Sequence, residues 1–123
     1  MAHFMLQWKY KDTSIQAMLD KPQDRPRELR KAVEAFGGTV HHFFYTLGVY
    51  DGLAIVEFPD TESCVACSLT LAGAGANTDL TTTVLLSAVE GSQAMERARQ
   101  TQTGYQTPVT YEGLTPVTYE VFG

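Results

Sequence analysis

An α+β domain with the element order β-α-β-β-α-β is what the patterning of this chain predicts, and three observations predict it. Two extended runs rich in aromatic and β-branched residues, Thr39–Leu47 and Tyr50–Phe58, meet at Gly48-Val49 as the arms of a hairpin do. Segments with apolar residues at helical spacing flank that hairpin, and each is closed by glycines. An alternating run opens the chain, and a threonine-rich one follows the last of those segments. With 123 residues, 44% of them apolar, the chain suits one domain with an ordinary core.

Taken in order, His3–Tyr10 alternates Phe4, Leu6, Trp8 and Tyr10 on one side with His3, Met5, Gln7 and Lys9 on the other, as a half-buried strand does. Asp12 or Thr13 then offers an oxygen to cap a helix whose inner face carries Ile15, Met18 and Leu19. Pro22 and Pro26 place a break near Lys21–Gln23 and a restart at Arg25 or Pro26, since proline is tolerated in a first helical turn. The restarted helix puts Leu29, Ala32, Val33 and Phe36 on one face and ends at Gly37-Gly38. Both faces of the hairpin that follows carry large apolar residues. A sheet with one wet face alternates more cleanly, so both faces should be covered.

Asp60 caps the next helix, with Val65, Ala66, Leu69 and Ala72 at helical spacing and Gly73 and Gly75 at its end. Asn77–Val89 reads as the fourth strand, which completes a ferredoxin-like βαββαβ unit over residues 1–90. Residues 91–123 form a C-terminal extension. Within Glu90–Thr103 a short helix is predicted, capped by Ser92 and striped by Ala94, Met95 and Ala98. An eight-residue repeat ends the chain, TPVTYEGL at 107–114 and TPVTYEVF at 115–122. Its prolines remove backbone donors, which suits an extended arm lying on the domain or on a neighbouring protomer. A tail without fixed structure is the other reading.

Charge and hydropathy exclude several classes. The net charge is −5, and the basic cluster Lys21, Arg25, Arg27, Arg30 and Lys31 is interrupted by Glu28. That is a solvated helix face, not a nucleic-acid footprint. No run approaches the ~18–20 apolar residues that cross a bilayer, and no signal peptide is apparent, so a soluble cytoplasmic protein is expected.

The run Phe44-Tyr45-Thr46-Leu47-Gly48-Val49-Tyr50-Asp51-Gly52, followed by Val56-Glu57-Phe58-Pro59-Asp60, resembles the GYD-domain family, whose Gly-x-Tyr-Asp-like hairpin is here Gly48, Tyr50 and Asp51. The likeness runs from about Phe4 to Val89. It implies the dimeric α+β-barrel type of ferredoxin-like fold, in which two sheets face one another across a homodimer or a higher homo-oligomer and enclose pockets. The twin sheet would cover the second strand face. It implies no particular chemistry, because fold does not supply function.

Candidate site residues follow from their place on the hairpin. Asp51, beside Tyr50, fits a general base raised by burial, and equally a carboxylate holding local backbone amides. His41 and His42, as strand neighbours, point to opposite faces unless a bulge intervenes. By strand parity His42 shares a face with Phe44, and His41 shares one with Phe43 and Tyr45. Either histidine fits a pocket base or a satisfied polar spot near the core, and His3 on the first strand could join such a cluster. Tyr45, Tyr50, Phe43, Phe44 and Trp8 would line the pocket.

Cys64-Val65-Ala66-Cys67 has redox spacing near a helix start, but two cysteines three apart on a helix also pack as small apolar groups. Zinc asks for about four ligands, so no metal site and no cofactor is expected. Gly73–Asn77 follows a helix instead of leading into one, which is the wrong order for a phosphate cradle. Binding of a small, partly apolar ligand between facing sheets is therefore the first functional expectation. A cofactor-independent enzyme of monooxygenase or isomerase type, acting on an aromatic or lactone-like metabolite through Asp51 or a histidine with Tyr45 or Tyr50, is the second. A structural partner docking through its C-terminal arm is the third.

Overall fold

Residues 1–109 are described by the structure, a computed structural model. The elements are β1 (Ala2–Tyr10), α1 (Asp12–Asp20), α2 (Arg25–Ala35), β2 (Thr39–Tyr45), β3 (Gly52–Phe58), α3 (Thr61–Gly73), β4 (Asn77–Leu85) and α4 (Ala88–Gln100). The four strands lie in the order β2-β3-β1-β4, every neighbouring pair antiparallel. This is the expected βαββαβ sheet, with a helix appended. Most of the terminal repeat lies outside the described residues.

Alternation along β1 and β3 sends one set of side chains toward the helices. Phe4, Leu6 and Trp8 from β1 and Ala54, Val56 and Phe58 from β3 form the core with Leu29 and Val33 of α2 and Cys64 and Cys67 of α3. The other set, His3, Met5 and Gln7 with Leu53, Ile55 and Glu57, faces away from the helices. Among the described residues nothing lies over that second face, and Phe44 on it is 56% exposed.

Helix ends follow their capping chemistry. Asp24 accepts from the Arg27 amide at 3.1 Å and Asp60 from the Ser63 amide at 2.7 Å, so α2 and α3 start where the sequence places them. The α2 terminus donates Gly37 N–H to Glu34 O and Gly38 N–H to Val33 O, with Gly37 at φ +79°. Two orphan carbonyls are satisfied by that left-handed turn.

Several boundaries differ from expectation, each for a local reason. Neither Asp12 nor Thr13 caps α1; Lys11 holds that position, and its side chain makes no capping bond. β4 stops at Leu85 and α4 begins at Ala88, not near Glu90, because Ser87 and Glu90 form a reciprocal capping box that Ser92 cannot. The hairpin arms are shorter than expected, because Thr46 Oγ1 donates to Tyr50 O at 2.7 Å and its amide donates to Asp51 O at 2.9 Å. These bonds close a loop where the ladder would have continued. On α3 it is Cys64 and Cys67 that face the sheet, leaving Val65 and Leu69 largely exposed.

Candidate functional site

Two regions of this sheet concentrate chemistry, one on each face. On the helix side, four aromatic rings from β1 and β2 form a row. Trp8 lies between Phe43, with ring centroids 5.5 Å apart, and Tyr10 at 6.4 Å, and Phe43 meets Tyr45 edge-on at 5.2 Å. Such offset and edge contacts suit the ring quadrupoles and hold the rings in place. The N-terminal part of α2 and residues of α3 and β4 roof the row, leaving a cleft of about 70 Å³ lined by Trp8, Tyr10, Phe43, Arg25 and Asn77 among others. Tyr10 and Arg25 also line a second hollow of about 150 Å³ beside α1.

The polar groups of this cleft are few and specific. Arg25 brings a guanidinium, Glu28 a carboxylate and Asn77 an amide. Asn77 Oδ1 is buried and, among the described residues, accepts no hydrogen bond. An unpaired buried acceptor costs roughly 1–3 kcal/mol. The cleft therefore offers an apolar, aromatic wall with one unsatisfied acceptor, the Arg25 guanidinium and the Glu28 carboxylate.

On the open face, His41 Nε2 donates to Glu57 Oε1 at 2.9 Å, and His3 Nε2 lies 3.7 Å from the same oxygen. The two imidazoles stack, with centroids 5.6 Å apart and planes 25° from parallel. The His41 hydrogen bond holds the Glu57 carboxyl below its usual range against desolvation, and the charge of His3 adds to the effect. His3 and Glu57 are direct register partners across β1 and β3. His41 joins them as the residue two beyond Thr39, which pairs with Glu57, and the β2–β3 register slips between Val40 and His42, so Phe43 and Tyr45 fall on the other side. This bulge corrects the parity expected for His41, which lies on the open face, apart from Phe43 and Tyr45. His42, paired with Ile55 and stacked on Phe44 at 6.2 Å, is on that face too.

Asp51 is placed differently. Its carboxylate accepts from the Tyr10 amide at 2.9 Å, and its own amide donates to Trp8 O at 2.8 Å. It stitches the hairpin loop to the end of β1, and among the described residues it shares no hydrogen bond with a histidine. Tyr50 pairs its hydroxyl with Thr81 Oγ1 at 2.9 Å. Of the candidate lining residues, Trp8 and Phe43 thus meet in the cleft and Tyr45 borders it, while His3, Phe44 and Tyr50 stand elsewhere. Tyr10, Arg25, Glu28, Asn77 and Glu57 were not singled out by sequence. Tyr10 and Glu57 could have been, from their parity with Trp8 and with Ile55. Asn77 could not, since it reaches the cleft only through the β1–β4 register.

Both cysteines of the C-x-x-C are fully buried free thiols. Burial pushes the Cys64 thiol up, and Cys67 up to about 11. A redox nucleophile needs the opposite shift.

The sheet order and its helices define a ferredoxin-like α+β protein, and the fold has a solved counterpart. The crystal structure of TTHA0845 from Thermus thermophilus is similar at a TM-score of 0.50 and 17% identity, over 72% of this chain and 96% of that one. At that identity the likeness is one of fold. No protein of curated function matches the sequence. The GYD domain matches over residues 4–95, so the chain belongs to the GYD-domain family. That match passes Val89, where the residues carrying the resemblance stop, and runs into α4. Among the described residues no helix is long and apolar enough to cross a membrane.

Proposed function

We propose that this GYD-domain protein is a homodimer that binds a small, partly apolar ligand in the helix-side cleft of each chain. The observation that carries the binding is the unpaired Asn77 Oδ1 in an aromatic enclosure that also holds Arg25. Its lining, apolar walls with a few converging polar groups, is that of a small-molecule pocket, and at about 70 Å³ the cleft must widen to admit one. A hydroxylated aromatic acid matches the chemistry: its ring lies against Trp8 and Phe43, its hydroxyl donates to Asn77 and its carboxylate faces Arg25. A cavity between two facing sheets would need a second copy, whereas this cleft is enclosed within one chain. The pairing itself is supported by Met5, Phe44, Leu53 and Ile55 on the uncovered side of the sheet. The catalytic alternative named Asp51 or a histidine as base with Tyr45 or Tyr50 as donor; against it, Asp51 accepts from the Tyr10 amide, His41 bonds to Glu57 and Tyr50 to Thr81.

Trp8 is the only tryptophan, so its emission reports on the cleft directly. Titration with 4-hydroxybenzoate should change that emission saturably, and benzoate, lacking the hydroxyl, should bind more weakly. Asn77→Leu should erase the preference between the two, a change of about tenfold for one lost hydrogen bond. If neither acid alters Trp8 emission, or the preference survives Asn77→Leu, the cleft is not the binding site.

A further inference from the structure

We infer that His3, His41 and Glu57 form a site for one divalent first-row transition ion on the open face of the sheet, independently of any ligand in the helix-side cleft. Their three donor atoms lie within 4.8 Å of one another, and each comes from a different strand. Two histidines and one carboxylate are a recurring donor set for zinc and for non-haem iron. Donors around a tetrahedral ion at ~2.1 Å stand about 3.4 Å apart. The separations here, 2.9 Å from His41 and 3.7 Å from His3 to one Glu57 oxygen, bracket that value. Side-chain adjustment alone would seat an ion.

The backbone reads as built for this convergence. His3 and Glu57 face each other by register, and His41, one residue past the Val40–Val56 pair, falls on the same open face by alternation. The bulge after Val40 leaves it there while Phe43 and Tyr45 turn to the helix side, and bulges commonly sort side chains in this way beside functional sites. Two imidazole nitrogens then aim at a single carboxylate oxygen. Only the nearer Nε2 lies within hydrogen-bond distance of it, while the other stands too far. A shared cation satisfies all three donors together. In a single chain the side chains of His3, His41 and Glu57 are 46%, 39% and 20% exposed, so the remaining coordination positions are open there to water or to groups of a facing chain.

The test uses the tag-free full chain, stripped with chelator and titrated with Zn²⁺ by calorimetry and with Co²⁺ by visible absorption. One equivalent should bind per chain, and the Co²⁺ spectrum should carry ligand-field bands of a nitrogen–oxygen site. His41→Ala and Glu57→Gln should each weaken Zn²⁺ binding by at least about tenfold, as loss of a ligand costs no less than loss of a group supporting one. Glu57→Gln keeps the side-chain shape, and circular dichroism confirms that each variant is folded. His42→Ala, on the same face but outside the cluster, should bind as the unaltered chain does. Absence of saturable Zn²⁺ uptake, or equal weakening by His42→Ala and His41→Ala, overturns the assignment.

Discussion

Gly52, the last residue of the family's hairpin signature, is where a single hydrogen decides the packing. A Cβ built there overlaps the six-membered ring of Trp8 and comes within 2.7 Å of its Nε1. Trp8 cannot step aside, because Phe43 and Tyr10 hold it from two directions. Gly52→Ala should therefore destabilise the fold by about 1–3 kcal/mol through overpacking, read from urea unfolding. An unchanged midpoint would mean the indole is free to move. The buried thiols carry a second consequence at this scale. Cys67 is raised to about 11 from an ordinary 9.0. Its contribution is fully present below pH 9, where both folded and unfolded thiols are protonated. It is lost as pH rises from about 9 through 11, because only the unfolded chain then releases the proton. The stability difference between the unaltered chain and Cys67→Ala should shrink across that window, and the folded protein should resist thiol reagents at neutral pH. Rapid labelling of Cys67 in the native state would contradict its place in the core.

At the scale of elements, strand parity was legible wherever the ladder is regular. β1 and β3 bury the residues that alternation assigns to the core, and α2 and α3 begin at the caps the sequence shows. What could not be read were the two register shifts, between Val40 and His42 and between Gln7 and Lys9. A bulge depends on how two strands meet, and neither strand carries a local sign of it. For the same reason the His3–His41–Glu57 cluster was half visible: the histidines stood out by type, and Glu57 looked like one more polar residue on a strand. Asp51 shows the competing outcome. Its two expected roles were a general base or a local brace, and its bond to the Tyr10 amide ties the hairpin loop to β1 next to the second shift. Asp51→Ala should cost about 1.5–3 kcal/mol, the range for a hydrogen bond to a charged acceptor, with loosened amide-exchange protection at Tyr10. If protection there is unchanged, the carboxylate is not a brace.

Across the whole molecule, the two faces of the sheet differ in what covers them among the described residues. Helices α2 and α3 cover one face and leave the aromatic cleft at its edge. The other face displays Phe44, Leu53, Ile55 and Met5 beside the histidine cluster, with nothing among the described residues above them. That both faces are apolar was plain from the hairpin alone, because neither arm alternates cleanly between apolar and polar. Which chain supplies the missing cover was not, since no residue pattern names a twin. Two sheets packed face to face stand about 10 Å apart, which would bury this surface and bring the His3–His41–Glu57 clusters of two chains to a shared interface. The measurement that bears hardest on this arrangement is the mass of the full chain by light scattering across a dilution series from hundreds of micromolar to about one. Pairing through the open face predicts twice the chain mass of 13.6 kDa at the higher concentrations, reduced toward one chain by Phe44→Glu and Ile55→Glu together. A mass of 13.6 kDa at every concentration would show that the open face stays uncovered.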